Sequence, residues 1–259
     1  MDADRIASLA ASNVAVEVVA ETGSTNSDLL ARAAGLTAPV LLVALHQNAG
    51  RGRAGRSFLT AAGGALTFSL AWKFDGPVQR LSGLPLAVGV ALAEALAALD
   101  VPVQLKWPND VLRDGGKLAG VLIETQAAPG GGVWAVIGIG LNLELPDELE
   151  QRLALGQGRP PAGAPWLARM DRALLVARLL DALADGLRLF GQSGFPAFCA
   201  RWNALHAWQG RQVEIIDRGA TLHAGVAAGV DDSARLLLDT AAGRVAVLAG
   251  DVSLREARD

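Results

Sequence analysis

The sequence predicts helices and strands mixed in one large unit, residues 1–208, followed by a small barrel of short strands, residues 209–259. Three observations predict this. Up to Trp208, short β-branched or apolar runs alternate with alanine- and leucine-rich segments of helical period. At Gln209-Gly210 the pattern changes to short alternating strands punctuated by Asp217-Arg218-Gly219, Asp231-Asp232-Ser233 and Ala242-Gly243. A chain of 259 residues is also long enough for a full hydrophobic core, with one large domain plus a small one as its natural division.

Each element has a local reason. Residues 14 to 20, Val-Ala-Val-Glu-Val-Val-Ala, are β-branched and form a strand ending at Glu21. Ser24-Thr25-Asn26-Ser27-Asp28 supplies oxygens that accept from the free N–H groups of a helix start, so a helix through about Ala34 follows. Val40 to Gln47 is short and apolar, a buried strand that empties into a Gly-Arg loop, and Ala65 to Phe74 is another strand. Gly83 to Leu99 makes a buried helix, which Val101-Pro102 breaks before a strand over Val103 to Trp107. Leu118 to Gln126 and Val133 to Leu145 pair as strands about the turn Ala128-Pro129-Gly130-Gly131-Gly132. Gly156 to Pro165, rich in glycine and proline, is an exposed loop. Leu174 to Phe190 and Phe195 to Trp208 are amphipathic helices that need the sheet to cover their apolar stripes.

A formal net charge of −3 argues against a surface that tracks nucleic acid as a whole, so any anion binding is local. The single cysteine, Cys199, lies between Phe198 and Ala200, which predicts a reduced core thiol in a cytoplasmic protein. The N-terminus has no basic stretch leading into an apolar core, and no window approaches about 18 uninterrupted apolar residues, so no membrane partner is expected. Lys73, Lys106 and Lys117 are the lysines among 23 basic residues, and two of them fall within one short segment. Where arginine supplies nearly all positive charge, such lysines mark a need for a compact ammonium.

Four segments carry polar groups that a plain scaffold does not require. Ser24-Thr25-Asn26 offers hydroxyl and amide groups to a neutral polar ligand, or merely caps a helix. Gln47 precedes Gly50-Arg51-Gly52-Arg53-Ala54-Gly55-Arg56, where glycines let backbone N–H groups converge and arginines add planar charged donors. That loop is either an anion cradle or a mobile basic surface loop. Lys106-Trp107-Pro108-Asn109-Asp110 ends a strand and faces Lys117-Leu118-Ala119-Gly120 across a hairpin. Lysine and aspartate held at one site serve charge neutralisation and proton transfer, and otherwise form a surface ion pair at a turn. Gly138-Ile139-Gly140-Leu141-Asn142 places alternate glycines in a strand, which weakens it unless a flat group packs on the backbone.

In order and identity these segments resemble the biotin protein ligases, also called biotin–acetyl-CoA-carboxylase ligases, from about Glu21 to Asp251. The resemblance implies an α+β fold with a mixed sheet like that of class II aminoacyl-tRNA synthetases and biotin synthetase, plus a C-terminal SH3-like barrel. It implies ATP, biotin and Mg²⁺, formation of biotinyl-5′-AMP with release of pyrophosphate, and transfer of biotin to a lysine of a biotin carboxyl carrier protein. By similarity Ser24, Thr25, Asn26, Gln47, Gly50, Arg51, Lys117, Gly120 and Gly138 bind biotin. Arg51, Arg53, Phe58, Lys106, Asn109, Lys117, Gly140 and Asn142 bind ATP and the adenylate. Lys117, Asp110 and Arg53 are the catalytic candidates, with Asp110 orienting or deprotonating the acceptor lysine, and no metal ligand is assigned.

The chain departs from the pattern at Phe58, which stands near the place where many relatives have tryptophan after the loop. Only 23 residues precede Ser24, too few for the winged helix-turn-helix of bifunctional relatives, so no DNA partner is expected. Relatives often form homodimers. Residues 50 to 56 are expected to be mobile without ligand and to fold over the adenylate, with Arg56 unassigned. The alternatives are a lipoate or octanoate ligase, which shares the architecture, and a non-catalytic biotin sensor, which would not need both Lys117 and Asp110 and would release no pyrophosphate.

Overall fold

The structure is a computed structural model that describes residues 1–55, 63–145, 161–217, 219–250 and 252–256. Among them, seven strands form one mixed sheet in the order β1-β2-β3-β7-β6-β5-β4. These are β1 (Ala15–Thr22), β2 (Val40–Gln47), β3 (Ala65–Phe74), β4 (Gln104–Lys106), β5 (Asp110–Arg113), β6 (Gly116–Ala127) and β7 (Val133–Asn142). Only β1 and β2 pair in parallel, because helix α2 (Thr25–Arg32) carries the chain back between them. β2 and β3 have the limits expected from sequence, since each is one uninterrupted apolar run.

Side-chain alternation gives the sheet two different faces. Leu41, Val43, Phe68, Leu70, Ile137, Ile139 and Leu141 point to one face and share a core with helix α3 (Leu84–Ala97) and helix α5 (Arg172–Ser193). On the other face α2 covers one end, burying Leu29 and Ala33 against Leu42, Ala71, Trp134 and Val136. Val78–Ala97 is long and apolar enough by composition to cross a membrane, with a mean hydropathy of 1.4. Its side chains Leu84, Leu86, Val88, Val90 and Leu92 are buried in the core, the position of a helix covered by protein on several sides.

Several elements depart from the sequence pattern. Helix α1 (Ala3–Leu9) is capped by the Asp2 carboxylate, which accepts from the Asp4 N–H at 3.1 Å, but it buries only Ile6 and so has no apolar stripe. β5 begins at Asp110, within the hairpin turn that the sequence suggested, because Asn109 and not Asp110 is the last turn residue. Helix α6 (Pro196–Ala204) ends earlier than the expected Trp208. Most of the loop expected over Gly156 to Pro165 lies outside the described residues, and Pro165 itself opens helix α4 (Pro165–Ala168), where its missing N–H costs nothing.

The C-terminal strands β8 (Gln212–Asp217), β9 (Ala220–Val230), β10 (Leu236–Thr240), β11 (Gly243–Val247) and β12 (Val252–Glu256) form an antiparallel sheet ordered β11-β10-β9-β8-β12. Val213, Ile215, Leu236, Leu238 and Leu254 belong to the same apolar cluster as the large sheet, so no solvated seam divides the two. The junction is also tied by polar contacts. Trp107 donates its indole N–H to the Ala234 carbonyl at 3.4 Å, and Asn203 exchanges two hydrogen bonds with the backbone of Val230 at 2.7 and 3.0 Å.

Gly83 caps α3 with φ 82°, and a Cβ there would lie 2.7 Å from Phe195 and 2.8 Å from Ala234. A Gly83→Ala substitution therefore forces both a left-handed alanine and overpacking at the junction, a loss of about 2–4 kcal/mol. A thermal midpoint equal to that of the unsubstituted protein, measured by circular dichroism, would contradict this account of the junction.

Candidate active site

Beyond the part of the sheet that α2 covers, one row of directly opposed residues crosses six strands: Ala44, Thr67, Gly140, Gly120, Asp110 and Lys106. Opposed residues in antiparallel strands point to the same face. Gly140 and Gly120 sit side by side in the middle, so the row has a strip of bare backbone between the hydroxyl of Thr67 and the charges of Asp110 and Lys106. The expectation that alternate glycines make room on a strand thus gains a partner from β6.

Lys117 reaches this strip because of a β-bulge. Val111 opposes Ala119 and Leu112 opposes Lys117, which leaves Leu118 as an extra residue on β6. Strict alternation would point Lys117 and Gly120 to opposite faces; the bulge returns Lys117 to the glycine face while Leu118 and Ala119 both enter the core. A Cβ on Gly120 would lie 3.0 Å from the Lys117 ammonium, so the glycine admits the lysine as well as any ligand. The Lys117 carbonyl is fixed by the Asn142 amide at 3.1 Å and the Ala162 N–H at 2.8 Å.

Asp110 is held between two ammonium groups, Lys117 at 2.5 Å and Lys106 at 3.5 Å. Burial pushes its carboxyl up, but the charges of Lys117 and then Lys106 more than offset burial and hold it below the ordinary carboxylate range. The Lys106 ammonium also lies 5.1 Å over the Trp208 ring, a cation–π contact that limits its excursions. Asn109 donates to the Val121 carbonyl at 2.7 Å while Val121 donates back to the Asn109 carbonyl at 3.0 Å, which pins the turn that presents Asp110. The Trp107-Pro108 peptide bond is cis, and the Trp107 side chain is fully buried beneath this turn.

A second polar group lies where α2 begins. Ser24 caps the helix by accepting from the Ser27 N–H at 3.5 Å. Gln47 Oε1 accepts from the Thr25 N–H at 2.8 Å, and Thr25 and Ser69 hydroxyls meet at 2.7 Å. Ser69 donates to Asn26 Oδ1 at 2.6 Å, and Asn26 donates to Glu124 Oε2 at 2.9 Å. Arg51 donates to the same carboxylate at 2.9 and 3.1 Å. Ser24, Thr25 and Asn26 are all buried, which helix caps on a surface would not be. Gly138 is required by this network, since a Cβ there would come within 2.2 Å of Asn26 Oδ1. Gly138 was expected to line a pocket; its face is taken by the Asn26 amide.

The Gly-Arg loop splits between the two groups. Arg51 joins Glu124, whereas Arg53 donates to Asn109 Oδ1 at 3.1 Å and to the Gly250 carbonyl, a contact with the loop before β12. Gly50 is buried at the loop's start. Phe58 and Arg56 lie outside the described residues. Sequence reasoning missed Ser69 and Glu124; the available signal was Ser69 between Phe68 and Leu70 in β3 and Glu124 directly after the apolar run Val121-Leu122-Ile123 in β6. Cys199 is partly buried and packs against the edge of the core, less enclosed than the core thiol expected, with its Sγ 3.4 Å from the Val230 carbonyl and its titration pushed up chiefly by burial. His206 is buried against Trp202 at the junction, and burial lowers its pKa.

The arrangement presents a polar recessed group, a bare strip and a set of cations in sequence, with no activated nucleophile among the described residues. It suits an elongated ligand with a neutral polar head and an anionic far end. Among the described residues no group of three or more His, Cys, Asp or Glu is placed to hold a metal, and Asp110 is already engaged by two ammonium groups.

Residues 17–142 match the biotin/lipoate A/B protein ligase family, and residues 210–255 match the biotin protein ligase C-terminal domain. The chain is 39% identical to the biotin–[acetyl-CoA-carboxylase] ligase of Mycobacterium tuberculosis, over 92% of this chain and 88% of that one. It is 33% identical to the bifunctional ligase/repressor BirA of Escherichia coli, over 93% of this chain and 74% of the relative. Its structure is similar to that of a biotin protein ligase from Aquifex aeolicus in complex with biotin and ATP, with a TM-score of 0.77, 26% identity, and coverage of 93% and 99% of the two chains.

The depressed titration of Asp110 has a stability consequence of defined sign. A group whose folded pKa is lowered stabilises above its unfolded pKa, and that contribution is lost as pH falls through the folded value. Asp110→Asn should therefore unfold at a lower temperature than the unsubstituted protein at pH 7. The gap should close as pH drops below the ordinary aspartate value of 3.8. A gap that is constant from pH 7 to pH 3 in a thermal unfolding series would refute the charge pairing.

Proposed function

The chain belongs to the biotin/lipoate A/B protein ligase family, and we propose from the geometry above how it works as a biotin protein ligase. Biotin and ATP are its substrates. It joins them as biotinyl-5′-AMP with release of pyrophosphate, then passes the biotinyl group to a lysine and releases AMP. The observation that carries the reading is the Lys117 ammonium placed over the bare strip at Gly120, between the buried polar group and the Arg53–Asn109 contact.

The ureido ring of biotin sits against Ser24, Thr25, Asn26 and Gln47, with Gly50 and Gly120 shaping the walls and Gly138 acting behind Asn26 by making room for its amide. Its carboxylate then lies toward Lys117 and Arg51. A carboxylate oxygen attacks the α-phosphorus while the bond to the β-phosphate bridging oxygen breaks, and both reactants are anions. Positioned cations lower that repulsion, and Lys117, Arg51 and Arg53 are the ones at hand. Lys106 and Asn109 flank the nucleotide with Gly140, and Asn142 acts by holding the Lys117 backbone as well as by reading adenine. Phe58 is the candidate to stack on the base. Mg²⁺ would supply further neutralisation of the triphosphate charge when bound with ATP.

In the second step an acceptor amine attacks the acyl carbon, the acyl–phosphate bond breaks, and one proton is lost from the amine. Asp110 is ionised and engaged by lysines, which makes it a weak proton acceptor. We therefore assign it to orienting the incoming ammonium, the first of the two roles expected of it. The acceptor is a biotin carboxyl carrier protein of acetyl-CoA carboxylase. Residues 1–208 act as the catalytic unit and residues 209–259 as an SH3-like accessory unit, and the sheet edges are where a homodimer would form. A large sheet of the class II aminoacyl-tRNA synthetase type, as the family resemblance implies, would fit a shared acyl-adenylate chemistry.

Biotin- and ATP-dependent pyrophosphate release, followed by transfer to a purified carrier domain, tests the function, with lipoate in place of biotin as the control. Lys117→Ala should reduce pyrophosphate release roughly 10²–10³-fold, the usual cost of removing one positioned charge. Unaltered release would remove Lys117 from the site. Protease cleavage within residues 50–56 should slow when biotin and ATP are both present, and equal rates would argue against closure of that loop over the adenylate.

A further inference from the structure

We infer that Glu124 is a positioning residue that fixes the hydrogen-bond polarity of the biotin pocket and ties the Gly-Arg loop to it; the inference rests on the biotin-ligase reading above. Glu124 stands on β6 directly opposite Val136, and its carboxylate is shared by Asn26 at 2.9 Å and Arg51 at 2.9 and 3.1 Å. A carboxylate offers only lone pairs, so Asn26 must turn its NH₂ group toward Glu124. Its carbonyl oxygen is thereby aimed at Ser69, which donates to it at 2.6 Å. That uses the single Ser69 proton, so Thr25 must be the donor at the 2.7 Å contact between the two hydroxyls. The Thr25 hydroxyl also lies 3.0 Å from Gln47 Oε1, but its proton is drawn to Ser69, and Gln47 Oε1 keeps the Thr25 N–H at 2.8 Å.

Asn26 Nδ2 also donates to the Leu122 carbonyl at 3.3 Å, so Glu124 supplies the shorter of the two acceptors that set the polarity of Asn26, Ser69 and Thr25. The consequence reaches the ligand. A ureido group needs acceptors for its N–H groups and a donor for its carbonyl, and a pocket whose amides can turn over presents the matching pattern only part of the time. Glutamine at position 124 is nearly isosteric but carries its own NH₂, which leaves the longer Leu122 contact as the obligate acceptor holding Asn26 and weakens the preference for one polarity. The Arg51 ion pair is about half exposed on the arginine side and contributes little to stability, so Glu124 is expected to act on binding and not on folding.

The experiment measures biotin binding by calorimetry without ATP, then steady-state pyrophosphate release, for the unsubstituted protein, Glu124→Gln, Asn26→Ala and the double variant. Glu124→Gln should weaken biotin binding roughly tenfold or more and raise the biotin KM in proportion, with kcat within about twofold and the thermal midpoint unmoved. In the Asn26→Ala background the same substitution should cost much less than it does alone, because the carboxylate acts mainly through Asn26 and only the Arg51 contact remains to be lost. Wild-type biotin affinity in Glu124→Gln, or additive losses in the double variant, would overturn the inference. An unsubstituted protein that releases no pyrophosphate with biotin and ATP would instead remove the functional reading itself.

Discussion

A β-sheet sends successive side chains to opposite faces, and the site depends on how this chain uses that alternation and where it breaks it. One face must bury Phe68, Ile137, Ile139 and Leu141 against helices, so the residues between them are committed to the other face. There Thr67, Ser69, Gly138 and Gly140 form a small-residue surface that α2 covers at one end only. The bulge at Leu118 breaks the alternation once, and it brings the Lys117 ammonium onto that surface. Without it, the lysine would have to enter an apolar core, which would cost far more than a bulge does.

The charges on the strip constrain each other. Asp110 sits between Lys117 and Lys106, and its carboxylate lets two ammonium groups share a recessed surface that would otherwise repel them. An anionic group arriving near Lys117 would compete with Asp110 for that ammonium, exchanging an internal pairing for an external one without requiring a bare cation in the resting protein.

The polar anchors that hold the site are distributed across both sheets. Arg53 touches Asn109 of the large sheet and Gly250 beside β12, while Trp107 reaches Ala234 from beneath the same turn. The pattern change at Gln209-Gly210 marks where the strand type changes, yet the apolar core runs continuously across it. Side-chain rhythm is a local property of the chain, whereas a core is defined by what packs on what.

The sequence by itself determined the limits of β2 and β3, the helix cap at Ser24, the alternation of the long strands and helices, and the segments that meet at the site. These follow from local periodicity and from residue types with few structural uses, such as Ser24-Thr25-Asn26 before a helix or alternate glycines in a strand. α1 was not legible because a short helix burying one residue, Ile6, has no period to detect. Only the tertiary structure decided that Gly120 stands beside Gly140, that Lys117 shares their face, and that Gly138 makes room for Asn26. It alone placed Ser69 and Glu124 in the polar network, since their partners lie 43 and 98 positions away in the chain. Strand register and bulges set those proximities, and register is fixed by the packing of whole faces, a property that no short stretch of sequence carries.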